Sequence, residues 1–264
     1  MFSGIYGIVL RYLYLYTRNP LRAFELFFWP VIHIMLWGYV MQYLQSVGAG
    51  SSAVPIAFLL GGVLLWDVQF RASQGVSISF LEDVWTRNLL NIFVAPVRTS
   101  EMVAGMCIVG LLRVAVTMPL LLCMAYFAFQ FNLFSMSYWL IPFYGSLLLF
   151  GWALGILGNS LILRWGQAAE GLVWALPFVV QPISAIFYPV SILPAWLQPL
   201  SHAIPVSHIF EGMRDVLAGN SDIAHRLVWA YLLNLIWLLA AGAIMASVLK
   251  TARERGLLVK VATQ

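Results

Sequence analysis

The sequence predicts an all-α membrane protein with six transmembrane helices, organised as one domain over residues 1–264. Of these 264 residues, 62% are hydrophobic and only 9% are charged, and the mean hydropathy is +0.90. Soluble domains are about 45–50% apolar and about 25% charged. Because about 20 apolar residues cross a bilayer as a helix, six spans with short connections account for the apolar content. We therefore expect neither a large ectodomain nor a fused catalytic domain.

Six apolar runs are long enough, or nearly so, to cross a bilayer with some tilt. They cover residues 27–44, 54–70, 102–129, 139–163, 171–190 and 227–249. Six crossings place both termini on one side, and a cytoplasmic location of that side satisfies the positive-inside rule. The basic residues are then inside at Arg11, Arg18, Arg22, Arg71, Arg87, Arg98, Arg164, Lys250, Arg253, Arg255 and Lys260, outside at Arg214 and Arg226, and within a span at Arg113.

The amino-terminal segment, residues 1–25, predicts an amphipathic helix that lies in the inner membrane interface. Its aromatic and aliphatic residues recur on one side, while Arg11, Arg18 and Arg22 fall elsewhere. Asn19-Pro20 favours a break before the first span, because a proline tends to end the helix that precedes it. The alternative is that this segment simply begins the first span. It has no small-residue cleavage site, so we do not expect a signal peptide.

The inner connection between the second and third spans predicts a short amphipathic helix over residues 79–96. Ser79 is followed three residues later by Glu82, the capping-box pattern with which many helices begin. Apolar residues then recur at helical spacing, and Pro96 ends the pattern. We expect this helix to lie at the cytoplasmic surface.

The outer connection, residues 191–226, predicts a pair of short re-entrant helices. It is apolar enough to enter the bilayer, but Pro194, Pro199 and Pro205 follow Pro189 too closely for an uninterrupted spanning helix. Non-helical backbone is tolerated at membrane depth only where protein or a wet cavity covers it. This segment is therefore expected to pack on the spans or to line an exit.

Few polar residues lie inside the predicted spans, and these are the candidates for function. Arg113 is either a functional charge at depth, with Asp67 as its partner, or a side chain that extends to the inner headgroups. In the fifth span, Pro177 and Pro182 favour a kink. The candidate pathway wall there comprises Gln181, Ser184, Phe187 and Tyr188.

The motifs of common enzymes are absent from the sequence. It contains no G-x-x-x-x-G-K-[ST] phosphate loop, no H-E-x-x-H, no C-x-x-C and no G-x-S-x-G. The chain therefore does not bind ATP through a Walker site of its own. The net charge of +4 reports orientation in a membrane protein and does not indicate nucleic-acid binding. His208, Glu211, Arg214 and Asp215 favour an ion-paired outer face over a metal or ligand site, and we expect no metal.

Two motifs in these positions carry a resemblance to a known family. The chain resembles the permeases of ABC transporters of the type 2 export class, which includes polysaccharide, lipo-oligosaccharide and drug exporters. The similarity covers nearly the whole chain. The motifs are Phe80-Leu81-Glu82-Asp83-Val84-Trp85-Thr86-Arg87-Asn88-Leu89-Leu90 through Ala95-Pro96-Val97 on the inner side, and Phe187-Tyr188-Pro189-Val190, Leu193-Pro194, Trp196, Ile204-Pro205 and Glu211-Gly212-Met213-Arg214 on the outer side.

The resemblance implies a permease of the bacterial inner membrane that dimerises and couples to two separate ABC ATPase subunits. ATP and Mg²⁺ would be bound by those subunits, and this chain would hold no cofactor. The substrate would be amphipathic, lipid-like, glycan or drug-like, and it would be exported by alternating access. Outer residues 192–217, with Pro194 and Pro205, would form part of the exit gate. The ATPase-facing residues would be Glu82, Asp83, Trp85, Arg87 and Asn88.

Two other functions stay open at the level of sequence. One is an intramembrane enzyme that acts on a lipid-linked substrate through His208, Glu211, Arg214 and Asp215. The other is a passive channel, which would need a more polar pore lining than the spans provide.

Overall fold

The computed structural model describes residues 2–47, 54–220 and 222–254, and every secondary-structure element in these ranges is a helix. Arg255 and Lys260, which the positive-inside count used, lie outside the described residues. Short 3₁₀ helices precede α6 and surround α7, at Leu133–Trp139, Gly166–Ala169, Gln181–Ile183 and Val190–Ile192. The α-helices are α1 (Phe2–Arg18), α2 (Pro20–Ser46), α3 (Val54–Trp85), α4 (Leu89–Val94), α5 (Thr99–Phe129), α6 (Leu140–Trp165), α7 (Glu170–Val180), α8 (Gln198–His202), α9 (Pro205–Leu217) and α10 (Ala224–Glu254).

Four helical stretches in the described ranges are long and apolar enough to cross a membrane. They are Pro20–Ser46, Thr99–Phe129, Leu140–Ile183 and Ala224–Glu254. They contain the predicted first, third and sixth spans and, within the 44-residue third stretch, the fourth span and much of the fifth. The predicted second span lies in α3, which is not among the four. The chain is thus an all-helical, multi-pass membrane protein, and the count of six spans stays a prediction.

The break at Asn19-Pro20 separates α1 from α2. The Asn19 side chain accepts hydrogen bonds from the backbone N–H groups of Leu21 and Arg22, at 3.2 and 3.3 Å, and so caps α2. Pro20 occupies the first turn, where its missing N–H costs nothing. The amino-terminal helix therefore ends at Arg18 rather than at residue 25, and the helix of the first span begins at Pro20 rather than at residue 27.

The predicted helix start at Ser79 is wrong, because α3 runs through this position without interruption to Trp85. Ser79 is buried, and its hydroxyl donates to the carbonyl oxygen of Gly75 at 2.6 Å, as a serine inside a helix commonly does. The capping-box spacing was present in the sequence, but α3 is already helical before Ser79, and the Ser79 side chain bonds within that helix instead of capping a new one.

The helix α3 ends in a Schellman motif, in which Arg87 adopts the left-handed conformation with φ of 53°. The backbone N–H of Asn88 bonds the carbonyl oxygen of Asp83 at 2.9 Å, and that of Arg87 bonds Val84 at 3.0 Å. The chain then forms the six-residue helix α4 before α5 begins. We call residues 86–98, which join α3 to α5, the elbow.

The fifth predicted span also ends early. The helix α7 stops at Val180, a 3₁₀ turn follows over Gln181–Ile183, and Ala185 adopts a left-handed φ of 57°. Pro182 has no N–H to continue the helical hydrogen bonds. Residues 184–189 therefore form a turn that the prediction had placed in the span. The predicted outer connection, residues 191–226, which we call the outer segment, contains two short helices, α8 and α9, as predicted. Their depth in the membrane stays a prediction.

The helix α3 lies at the centre of the molecule and packs against α5 and α6. Glycines make this packing close. A Cβ atom added at Gly75 of α3 would lie 2.1 Å from the Cα atom of Gly110 in α5, and one added at Gly155 of α6 would lie 2.5 Å from Val76. Small residues at such crossings let helix backbones approach closely in a membrane, where packing replaces the hydrophobic effect as the driving force.

Two apolar clusters occupy the two ends of this helical body. One joins Tyr12 of α1 to Phe80 of α3 and to Met245 and Leu249 near the end of α10. The other joins α9 to residues 129–147 and to Ala230 near the start of α10. The amino-terminal helix, the elbow and the last turns of α10 therefore share one end, the elbow end. The outer segment lies at the opposite end.

Because Gly75 and Gly110 touch, we expect Gly75→Ala to destabilise the protein by about 1–3 kcal/mol, the usual cost of overpacking. The measurement is the thermal unfolding of the detergent-purified variant. Gly242→Ala in α10 is the matched control, because nothing lies within 4 Å of the Cβ position there. Equal melting temperatures for the two variants would contradict the assignment of this crossing as a packing constraint.

Candidate functional site

A cleft of about 760 Å³ runs along α2 on one side and along α3 and α7 on the other. It follows α2 from Arg22 to Trp37, a distance of about 22 Å at 1.5 Å per residue step. It therefore extends over most of the thickness of a bilayer core, which is about 30 Å. Its lining comprises Tyr16, Arg22, Glu25, Leu26, Trp29, Pro30, Ile32, His33, Leu36, Trp37, Trp66, Asp67, Phe70, Arg71, Gln74, Ile78, Glu82, Trp85, Arg113, Trp174, Phe178, Gln181 and Phe187.

Aromatic rings narrow the cleft at the end away from the elbow. Trp37 of α2 stacks on Phe187, with ring centroids 4.5 Å apart and an angle of 20° between the planes. The indole N–H of Trp37 donates to Nε2 of His33 at 3.0 Å, one helical turn earlier. This bond orients the Trp37 ring, and the stacking of that ring on Phe187 links α2 to the turn that follows α7.

Ion pairs line the part of the cleft nearer the elbow. Arg22 of α2 pairs with Glu82 of α3 at 2.9 Å, and Asp67 pairs with Arg71 on the same helix at 2.6 Å. Arg71 also donates to the carbonyl oxygen of Leu26 at 3.2 Å. These contacts connect α2 to α3 along the cleft.

Asp67 is not the partner of Arg113, and that prediction is wrong. Asp67 and Arg71 lie four residues apart on one helix, a spacing that brings side chains together and that the sequence already displayed. Arg113 instead donates to the hydroxyl of Tyr16 and, at 3.3 Å, to the carbonyl oxygen of Gln74. Its guanidinium lies over the Tyr16 ring, 5.0 Å from the centroid. The side chain thus extends toward α1 and the elbow end.

The helix α1 covers the end of α3. Tyr12 is buried, and its hydroxyl donates to the carboxylate of Asp83 at 2.6 Å and to the carbonyl oxygen of Ser79 at 2.9 Å. Arg11 pairs with the same carboxylate. Glu82 and Asp83 are therefore buried within the molecule, whereas Trp85 and Arg87 are exposed and Asn88 is half-buried. The five residues predicted to face an ATPase thus divide into a buried pair and a more accessible group.

Burial raises the pKa of Glu82 to about 7, and the positive charge of Arg22 opposes this shift only in part. One carboxylate oxygen bonds Arg22, and the other has no partner among the described residues. Burial likewise raises the pKa of Asp83, against the hydrogen bond from Tyr12 and the charge of Arg11. Both carboxyl groups at the end of α3 therefore hold a proton more tightly than a carboxyl group in water does.

Two of the predicted pathway residues, Gln181 and Phe187, line the cleft. The others do not. Ser184 is buried and bonds the carbonyl oxygen of Val180, and Tyr188 bonds that of Pro182. Pro194 and Pro205 lie in the outer segment, where Pro205 begins α9.

The outer charges hold the turn after α7 against α9. Glu211 accepts a hydrogen bond from the backbone N–H of Val190 at 2.8 Å and pairs with Arg214 at 3.2 Å. Arg214 also donates to the carbonyl oxygens of Ala185 and Tyr188. This is the ion-paired face that the sequence favoured over a ligand site.

The polar side chains on which the alternative function, an intramembrane enzyme, would depend also make contacts within the outer segment. Asp215 pairs with Arg226 at 2.6 Å. His208 donates to the carbonyl oxygen of His202 at 2.9 Å, and Ser207 bonds the carbonyl oxygens of Ser201 and Ile204. In this structure, Ser207 and His208 therefore bond backbone carbonyls and not each other.

Sequence reasoning missed Tyr16, Arg22 and Gln74, which line the half of the cleft nearer the elbow. The spacing of Tyr12 and Tyr16, four residues apart, was a usable signal, because it puts both rings on one face of α1. Nothing in the sequence identified Gln74, whose importance comes from the contact of α3 with Arg113.

The chain is similar to known transport proteins. The sequence profile described as ABC-2 type transporter matches residues 7–218. The inner membrane transport permease YadH of Escherichia coli strain K12 is 26% identical over 233 residues, covering 86% of this chain and 88% of YadH. ABC transporter G family member 20 of Dictyostelium discoideum is 26% identical over 185 residues, covering 70% of this chain but only 25% of that protein.

The raised pKa of Glu82 predicts a pH-dependent stability. Since the folded state holds this proton more tightly than the unfolded state, stability should fall as the pH rises from about 4.5 to about 7. Glu82→Gln, which resembles the protonated form, should be at least as stable as the parent at pH 8 and should remove much of this dependence.

The measurement is the melting temperature of the detergent-purified protein at pH 5.5 and pH 8. Glu254→Gln is the control, because Glu254 is exposed and forms only a long surface pair with Lys250 at 3.9 Å. If Glu82→Gln melts well below the parent at both pH values, the ionised pair with Arg22 is a net stabiliser and the prediction is wrong.

Proposed function

The chain belongs to the ABC-2 type transporter family, and from this premise we propose that it is the permease subunit of an ATP-driven exporter in the bacterial inner membrane. The observation that carries the proposal is the cleft between α2, α3 and α7. It joins the elbow end to an aromatic closure near the opposite end. A path of this length, bordered by three long or kinked helices, suits a substrate that crosses beside the helices.

The chemistry of the cleft supports an amphipathic substrate. Ion pairs and amides line the part near the elbow, while Trp37, Phe178 and Phe187 line the other part. Aromatic faces contact apolar chains, planar drugs and sugar rings alike. Movement of Trp37 away from Phe187 would open the cleft, and the bond from Trp37 to His33 would tie that movement to α2.

The elbow is the proposed contact for two ATPase subunits, which would bind ATP and Mg²⁺. Arg87 and Val94 of the elbow are exposed, and so is Trp85 at the end of α3. The Schellman motif and the clamp of Tyr12 on Asp83 fix the elbow to α3 and α1. A displacement of the elbow would therefore move the cleft wall as well, because the helix α3 connects the two.

The distribution of charge supports a cytoplasmic elbow end. Arg11, Arg18, Arg87, Arg98 and Arg253 belong to segments at that end, whereas Arg214 and Arg226 lie at the other. The positive-inside rule then places both termini in the cytoplasm. The cleft is open along α2, where Trp29, Leu36 and Tyr39 are exposed, and a second copy of the chain would close it.

The test is affinity purification of the tagged protein from native membranes in mild detergent. We expect an ATPase subunit in near one-to-one ratio with the permease, and we expect Arg87→Glu combined with Trp85→Ala to reduce its recovery at least about tenfold, as the loss of a central charge and aromatic anchor does.

Arg253→Glu is the matched control, because Arg253 is exposed at the same end but lies on α10. Recovery of the permease alone after crosslinking would contradict the proposed function. Equal recovery of the ATPase with the elbow variant and with the control would contradict the elbow as its docking surface.

A further inference from the structure

One cation in the cleft lacks an acidic partner. Arg22 pairs with Glu82 and Arg71 pairs with Asp67, while Glu25, which lies on α2 and lines the cleft, is exposed. Arg113 contacts only the Tyr16 hydroxyl and ring and the carbonyl oxygen of Gln74, and within the described residues it forms no ion pair. Its Nε atom is buried and has no acceptor there.

Gln74 provides a second side chain in the cleft whose polar atoms lack hydrogen-bond partners among the described residues. Its side chain is buried, with 6% of its surface exposed, and it lines the cleft. Across the described part of the chain, neither its amide oxygen nor its amide nitrogen finds a hydrogen-bond partner. Arg113 bonds the backbone carbonyl of Gln74, and both residues line the same cleft. A guanidinium and an amide N–H together form a donor set for an oxyanion.

We propose that Arg113 and Gln74 bind the phosphate or carboxylate headgroup of an anionic amphiphile in the cleft. The apolar part of that molecule would lie along Trp66, Phe70 and Phe178, which line the same cavity. This inference deepens the proposed function, on which it rests, by giving the substrate a negative charge at one end.

The charge balance of the cleft carries the argument. A guanidinium in a region of low dielectric is stabilised strongly by an oxyanion and poorly by a hydroxyl or an aromatic face. The two carboxylates deep in the cleft, those of Glu82 and Asp67, already pair with Arg22 and Arg71. The volume, about 760 Å³, lies in the range of sites that hold drug-sized ligands and is far larger than a free phosphate ion requires.

The test is native mass spectrometry of the protein released from detergent, titrated with dioleoyl phosphatidic acid or with dioleoyl phosphatidylcholine. The parent protein should bind phosphatidic acid at least about tenfold more tightly, the scale of one charge-assisted hydrogen bond. Gln74→Glu, which places a carboxylate beside Arg113, should abolish this preference, and Arg113→Lys should retain it.

Arg164→Gln is the matched control, since Arg164 is exposed at the end of α6 and does not line the cleft. Arg113→Gln, checked for folding by its elution volume and helical content, gives a second reading. A preference for phosphatidic acid that survives both Gln74→Glu and Arg113→Gln overturns the proposal. So does a preference that Arg164→Gln removes, because that outcome assigns it to surface charge.

Inorganic phosphate distinguishes a headgroup site from a free-anion site. We expect it to compete with phosphatidic acid only weakly, because it cannot contact the aromatic wall. Full displacement at equal concentration would overturn the assignment to an amphiphile. No ATPase is present in this assay, so a permease that recovers its ATPase but shows no anion preference contradicts this inference alone. A permease that prefers phosphatidic acid but recovers no ATPase contradicts the proposed function alone.

Discussion

The close contact of α3 with α5 and α6 is the constraint on which the rest of the structure depends. Gly75 meets Gly110, and Gly155 meets Val76, at distances that leave no room for a larger residue at either glycine. Because α3 is held so near its neighbours, its other side faces α2 and α7 and forms the cleft wall. The same helix continues to Trp85, so the cleft wall and the attachment of the elbow are parts of one rigid element.

The charged residues along α3 form pairs that also position the neighbouring helices. Asp67 and Glu82 each pair with an arginine that faces the cleft, while Asp83 is covered by Tyr12 and Arg11 of α1. Burying a carboxylate is expensive unless it is paired and hydrogen-bonded. The contacts of Asp83 with α1 and of Glu82 with Arg22 therefore fix the positions of α1 and α2 on α3, and among the described residues Arg113 forms no ion pair.

Much of the fold could be predicted because it follows from local chemistry. The length of apolar runs predicted the bounds of α5 and α6 to within a few residues, and Asn19-Pro20 predicted the break that caps α2. The Ser79 and Glu82 pattern failed because a capping box is a local signal, whereas α3 continues through it on the strength of its buried neighbours. The end of α7 failed for a related reason, since Pro182 and the left-handed Ala185 turn the chain before the apolar run ends.

Less of the candidate site than of the fold could be predicted from the sequence. The sequence by itself determined that the chain is an all-helical membrane protein of the ABC-2 type, that its basic residues are concentrated in particular connections, and that Arg113 is an unusual charge. These properties depend on composition and on neighbours along the chain. Only the tertiary structure decided that Asp83 is buried by α1 and that Arg113 bonds the backbone of Gln74. These contacts join residues up to 72 positions apart, and pairing at that range is set by helix packing rather than by sequence spacing.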